Sequence, residues 1–195
     1  RAQATSKWAS QSENNARIKA MIALAMEEPE VQIEPEQWNQ NKMLLNTPSG
    51  TVNLENGTLQ PHNRLDYITQ ITGAAYDSNA GYAPFDDFIA RAMPDEPTRA
   101  YLQRALGYSI TGLVGEERFF MPWGPPATGK STLFSAVGAA LGEYAAAASP
   151  ETFVERKIDS NAPRSDVTRL VNKRCVVAME AGAQRLDASL LQRLT

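Results

Sequence analysis

Cysteine and histidine are almost absent from this chain, with one of each, Cys175 and His62, among 195 residues. A single thiol excludes an internal disulfide, and one thiol with one imidazole cannot assemble a zinc cluster. Cys175 falls in an apolar run and is expected to be a core residue of a strand. His62 follows Pro61 in a polar stretch and receives no role. Long apolar runs are lacking as well. None approaches the roughly 20 residues needed to cross a bilayer, and the first residues show no charged, apolar and small-residue series of a secretory signal. No membrane partner and a cytoplasmic setting are the resulting expectations. Charge of one sign is also scarce, because 19 basic residues stand against 22 acidic ones for a formal net charge of −3. That balance argues against nonspecific coating of nucleic acid, although a local basic patch is compatible with it. Apolar residues, at 43%, are ample for a packed core in one large domain or two small ones.

The stretch Gly124-Pro125-Pro126-Ala127-Thr128-Gly129-Lys130-Ser131-Thr132 fits G-x-x-x-x-G-K-[ST], the phosphate-binding loop of nucleoside triphosphatases. Upstream, Arg118 to Trp123 is a short apolar run suited to a buried strand, and downstream Thr132 to Leu141 is rich in helix formers. Strand, loop and helix are the order the motif requires. In such a turn the backbone N–H groups converge on an anion, and the helix N-terminus adds partial positive charge. A polyphosphate is the expected occupant, so ATP with Mg²⁺ is the expected cofactor pair. Lys130 would reach the β and γ phosphates, and the Ser131 hydroxyl would complete the coordination of Mg²⁺. Gly124, Thr128, Gly129 and Thr132 complete the candidate loop, Thr132 being a weaker contributor. A glycine-rich turn before a helix can also be a plain tight connection. Pro125 and Pro126 remove two N–H groups, so any cradle must rely on the amides after Ala127.

Around this loop the chain reads in order. Ile18, Met21, Ile22, Ala25 and Met26 recur at helical spacing and predict an amphipathic helix over about Glu13 to Glu28, stopping near Pro29, with a stripe expected to face a core and Trp8 on the same face. Met43 to Leu45, Thr51 to Leu54 and Thr58 to Gln60 predict short strands, and Asn56-Gly57 predicts a type I′ hairpin turn. Pro84 to Thr111 predicts two helices divided by Pro94 and Pro97 and stopped at Gly112. Tyr144 to Ala148 is expected as a small-residue strand, Pro150 to Lys157 as a short helix, and Val167 to Val171 as a helical turn. The domain boundary is expected at 114/115, with an α+β domain over 1–114 and the start of a nucleotide-binding domain over 115–195.

Arg174-Cys175-Val176-Val177-Ala178-Met179-Glu180 predicts an apolar strand ending in an acid, 50 positions after Lys130. That is the pattern of a Walker B element, in which Glu180 would hold Mg²⁺ through water or orient the water that attacks the γ-phosphate. A buried strand that simply ends in glutamate would look the same.

Taken together, Pro48 to Leu59 (P-S-G-T-V-N-L-E-N-G-T-L), Leu102-x-x-x-Leu106-Gly107-Tyr108-x-x-Thr111-Gly112, the loop G-P-P-A-T-G-K-S-T, and K-R-C-V-V-A-M-E with L-D-A-S-L-L-Q-R-L-T resemble the phage and plasmid primase/helicase proteins. Their ATPase is a superfamily 3 helicase related to the poxvirus helicase-primase. The resemblance implies an α/β fold, a truncated AAA-like P-loop domain behind a smaller α+β domain. It implies a ring-forming homo-oligomer that hydrolyses ATP and unwinds DNA while moving on single-stranded DNA, with Lys130 and Glu180 as catalytic residues. Two departures stand out. Met179 and Ala181 flank Glu180 where such motors often carry paired acids, and Gln192 occupies a position where similar proteins often have lysine. The DNA-contacting loop, the sensor residue and the arginine finger of similar helicases are expected beyond Thr195. Arg164, Arg169 and Arg193 are read as surface or salt-bridged residues rather than fingers. Two other functions remain open on the sequence, a ring ATPase that does not unwind DNA and a catalytically inert assembly or partner-binding module.

Overall fold

The computed structural model describes residues 5, 8–9, 12–29, 31–155, 164–179 and 185–195, and divides into two compact units, Arg1–Trp38 and Asn39–Thr195. The fold is mixed α/β with small sheets. In the first unit helix α1 (Asn15–Met26) is capped by Asn14, whose side chain accepts a hydrogen bond from the Ala16 N–H at 2.9 Å. The expected helix is therefore present. Its stripe is not a core face, because α1 buries no residue and Met21, Ile22 and Met26 are half to two-thirds exposed. Trp8 is exposed as well.

In the second unit, β1 (Leu44–Thr47), β2 (Gly50–Asn53) and β3 (Thr58–Gln60) form an antiparallel sheet in that order. Pro48-Ser49 turns the first hairpin. The second pairs Asn53 with Thr58, so its loop holds four residues and not the two of the expected type I′ turn. Two side chains select the longer loop. Asn53 Oδ1 accepts from the Glu55 N–H at 2.9 Å and Asn56 Oδ1 from the Thr58 N–H at 3.0 Å, while Gly57 alone takes the left-handed conformation, φ +70°.

The outer edge of β1 is covered rather than open. Asn46 accepts from the Thr72 N–H at 2.9 Å and donates its own N–H to the Tyr144 hydroxyl at 3.1 Å. Covering an edge in this way removes a template for pairing with other chains. The core joins residues far apart in sequence: Leu45, Val52, Leu141, Tyr144 and Cys175 are packed together, with Ile68, Tyr76, Ile110 and Val137 against them. Cys175 is a buried strand residue, as expected.

Helix α2 (Ala83–Ala92) and helix α3 (Glu96–Thr111) follow. Pro94 lies between them. Pro97 does not divide them; it occupies the first turn of α3, where a missing N–H costs nothing, and Asp95 caps that turn by accepting from the Thr98 N–H at 2.9 Å. Gly112 ends α3 in the left-handed conformation, as expected. Helix α4 (Lys130–Leu141) leads through a tight turn at Gly142–Tyr144 into β4 (Ala145–Ala148), which pairs in parallel with β5 (Cys175–Ala178). Between the two strands lie a 3-10 turn, Pro150–Phe153, and the helical turn α5 (Ser165–Thr168). The short helix expected over Pro150 to Lys157 is that single turn, and its last two positions lie outside the described residues. Helix α6 (Ala188–Leu194) closes the chain, capped by Asp187 on the Leu190 N–H.

The turn after α4 is a close approach of two backbones. Gly73 and Ala74 donate to Ala140 O at 3.0 and 3.2 Å, Glu143 N–H donates to Ile71 O, and Glu143 Oε2 accepts from the Ile71 N–H. A Cβ on Gly142 would stand 2.4 Å from Gly73 N, so only glycine lets the end of α4 receive residues 71–74.

Candidate phosphate-binding site

The loop between Gly124 and Thr132 ends on α4, whose first residue is Lys130 and whose N-cap is Gly129. Ala127 and Gly129 both have positive φ, +60° and +85°. Left-handed Gly129 is followed by helical Lys130, and such a pair turns successive backbone amides toward one side, the geometry of an anion-binding nest. The amides that begin a helix have no intrahelical acceptor, so those of Lys130, Ser131 and Thr132 are available to an anion. Pro125 and Pro126 add no donors, as the sequence implied.

Lys130 folds over its own loop. Its Nζ donates to Gly124 O at 2.9 Å, Pro125 O at 2.6 Å and Thr128 Oγ1 at 3.2 Å, and Thr128 Oγ1 donates to Pro125 O at 3.0 Å. Main-chain carbonyls are weak partners for an ammonium compared with phosphate oxygens, so an arriving polyphosphate exchanges neutral acceptors for charged ones. The Ser131 side chain is exposed and makes no hydrogen bond among the described residues. A divalent ion that needs a hydroxyl ligand therefore meets no competing bond there. These features fit ATP with Mg²⁺ through the donor set of Lys130, Ser131 and the α4 amides. Phe88 of α2 packs on Gly129, and a Cβ there would lie 2.9 Å from its ring. No sequence signal tied Phe88 to the loop, since their proximity comes from packing between α2 and the start of α4.

One expectation about the site changes, and one falls on residues outside those described. The run Arg118 to Trp123 is not a buried strand. It is irregular, with Met121 67% and Trp123 93% exposed. A strand is held by its ladder, and among the described residues no strand lies beside this segment to supply one. Tyr101 makes an edge contact with Phe120, ring centroids 6.3 Å apart, in its place. Glu180 and Ala181 lie outside the described residues. The strand that precedes them, β5, is present and parallel to β4, and Met179 at its end is exposed.

Arg164 is held by Asp166 at 3.0 Å and by Thr152 O at 2.6 Å, which agrees with a structural arginine. The same carboxylate, hydrogen-bonded to the guanidinium, raises the pKa of Arg164. Arg169 and Arg193 are exposed.

With this geometry in place, comparison with known families bears on the front part of the chain. Residues 1–94 match the family model described as D5 N terminal like. The matched segment includes α1, the three-stranded sheet and α2, and it ends before the phosphate loop. A D5 N-terminal-like segment is the front part of phage and plasmid primase-helicase proteins, so the match supports that kinship coarsely. No curated protein matches the chain. No described helix is long and apolar enough to cross a membrane.

Proposed function

We propose that the chain contributes to ATP-driven DNA unwinding in phage or plasmid replication, as part of a primase-associated helicase with an AAA-like P-loop domain over 115–195. The observation that carries this reading is the loop itself. Lys130 is held over its loop by neutral groups only, the Gly124 and Pro125 carbonyls and the Thr128 hydroxyl, beside unpaired helix-start amides and a free Ser131 hydroxyl. The D5 N-terminal-like match in front of it supports the replication setting.

In this reading the α4 amides and Lys130 bind the phosphates and hold them in line, with Gly124, Thr128, Gly129 and Thr132 shaping the loop. The Ser131 hydroxyl would hold a Mg²⁺ ion, which would supply neutralisation of phosphoryl charge when bound. Lys130 stabilises negative charge that develops on the transferred group, which is catalysis by electrostatic positioning. Glu180, following β5, is assigned to water activation and indirect metal contact. Single-stranded DNA and further copies of the chain in a ring are the proposed partners.

The exposed, unpaired segment 118–123 favours a second reading, in which the chain is an inert assembly module. A ring ATPase without unwinding activity is the third. Titration of a fluorescent ATP analogue with Mg²⁺ onto this chain, beside Lys130→Ala, separates these. Binding in the micromolar range that falls at least tenfold in the variant is expected. Equal binding by both proteins, or by neither, refutes the nucleotide assignment. Strand displacement by a ring that also turns over ATP distinguishes the helicase from the ring ATPase.

A further inference from the structure

A second concentration of positive charge stands apart from the phosphate loop. A polar cavity of about 150 Å³ is lined by Asn39, Lys42, Gln70, Gly112, Asn172, Lys173 and Arg174. Three of these side chains are cationic and none is a carboxylate. The chain as a whole has a formal net charge of −3, so the cluster does not reflect a generally basic surface.

The three cations are fixed in place by neutral groups. Lys42 Nζ donates to Asn39 O at 3.0 Å, and Lys173 Nζ to Glu143 O at 2.6 Å. Arg174 donates through Nη1 to Ile110 O at 2.9 Å and through Nη2 to Leu44 O at 2.7 Å, with its guanidinium 4.6 Å over the Tyr144 ring. An ammonium has three N–H donors and a guanidinium five, so each retains donors beyond these bonds. Among the described residues none of the three is paired with a carboxylate. The carboxylate of Glu143, whose backbone oxygen holds Lys173, is itself occupied by the Ile71 N–H. Burial, and then the charge of Arg174, lower the pKa of Lys42. Like charges gathered without a counterion raise the energy of the empty cavity, and an anion relieves that cost.

We infer that this cavity binds a phosphate group, either of a single-stranded nucleic acid backbone or of a free phosphate compound. Tetrahedral oxyanions match its chemistry, because the remaining N–H donors of Arg174 and of the two lysines come from three separate positions around it. Lys42 and Lys173 are 131 positions apart in the chain, so the cavity exists only in the folded protein. The cavity shares no lining residue with the loop over 124–132 and needs nothing bound there.

The test uses the full chain carrying Lys130→Ala, which removes the loop from the measurement. Inorganic phosphate is titrated calorimetrically at constant ionic strength, and a labelled single-stranded oligonucleotide by anisotropy over a salt series. The comparison proteins add Lys42→Gln with Lys173→Gln, or Lys42→Arg with Lys173→Arg. Phosphate binding that weakens at least tenfold in the glutamine protein and is retained in the arginine protein supports the site. If the salt slope of oligonucleotide binding also falls by about 1.4, the value for two lost contacts to single strands, the phosphate belongs to nucleic acid. If phosphate binding weakens and oligonucleotide binding does not, the occupant is a free phosphate compound. No phosphate binding by the Lys130→Ala chain, or equal binding by a folded glutamine protein, overturns the inference.

Discussion

Replacing Tyr144 by phenylalanine isolates one oxygen atom at the centre of the second unit. The residue is 1% exposed, and its ring packs among Leu45, Val52, Leu141 and Cys175. Its hydroxyl accepts from the Asn46 N–H at 3.1 Å and donates to Gln70 O at 3.2 Å. Gln70 O keeps a partner in the variant, because Asn46 Nδ2 also donates to it at 2.9 Å. The Asn46 N–H, on the covered edge of β1, keeps none. An unsatisfied buried donor costs about 1–3 kcal/mol, and the relieved desolvation of the hydroxyl offsets part of that, leaving roughly 1–2 kcal/mol. In a chain of this length each kcal/mol moves Tm by about 2–4 °C, so thermal unfolding followed by circular dichroism is expected to fall by about 2–8 °C. An unchanged Tm would mean that the hydroxyl does not hold the β1 edge. A loss of about 3–5 kcal/mol, the size of a full aromatic truncation, would mean that the phenyl ring itself is displaced. A pH series adds a second readout. Burial raises the Tyr144 pKa above its ordinary 10.0, so above that pH the unfolded state holds fewer protons and stability falls as pH rises. Tyr144→Phe is expected to show a shallower alkaline decline.

Gly142→Ala places a Cβ 2.4 Å from Gly73 N at a φ of +54°. The conformation alone costs roughly 1–3 kcal/mol and the backbone clash adds to it, so the urea midpoint is expected to fall sharply; an unchanged midpoint refutes the close approach. Asp95→Ala is expected to lower helicity at neutral pH, and Asp95→Asn to retain most of it, because asparagine caps as well. Bonds from the Thr98 side chain and N–H depress the Asp95 pKa below 3.8, so its contribution is present above that value and is lost as pH falls through the depressed one. Equal helicity of the alanine and wild-type chains over that range would refute the cap.

Much of the local structure could be read from the residues. Apolar spacing predicts α1 and the pair α2 and α3, Gly112 predicts their stop, and the short runs around Val52 and Leu59 predict a sheet, whereas the side-chain caps at Asn14, Asp95 and Asp187 and helix α6 emerge from the structure. The hairpin length was misread for a local reason. Asn-Gly favours a two-residue turn, but the Asn53 and Asn56 side chains bond forward in the chain and hold a four-residue loop. The run before the phosphate loop shows the opposite failing. Apolar composition predicts a strand, whereas strand formation needs a neighbour that composition cannot specify.

Residue types alone exclude a disulfide or a Cys/His zinc cluster within these 195 residues, mark many of the helices and strands, and give Gly124 to Thr132 the pattern expected of a phosphate loop. Those properties depend on residue type and on contacts a few positions apart. Packing alone brings Phe88 behind Gly129, Lys130 onto the carbonyls of its own loop, and Lys42, Lys173 and Arg174 around one cavity. Each of these depends on which surfaces meet when the chain packs, and packing joins positions as distant as Leu44 and Arg174, whose guanidinium reaches the Leu44 carbonyl across 130 positions of sequence.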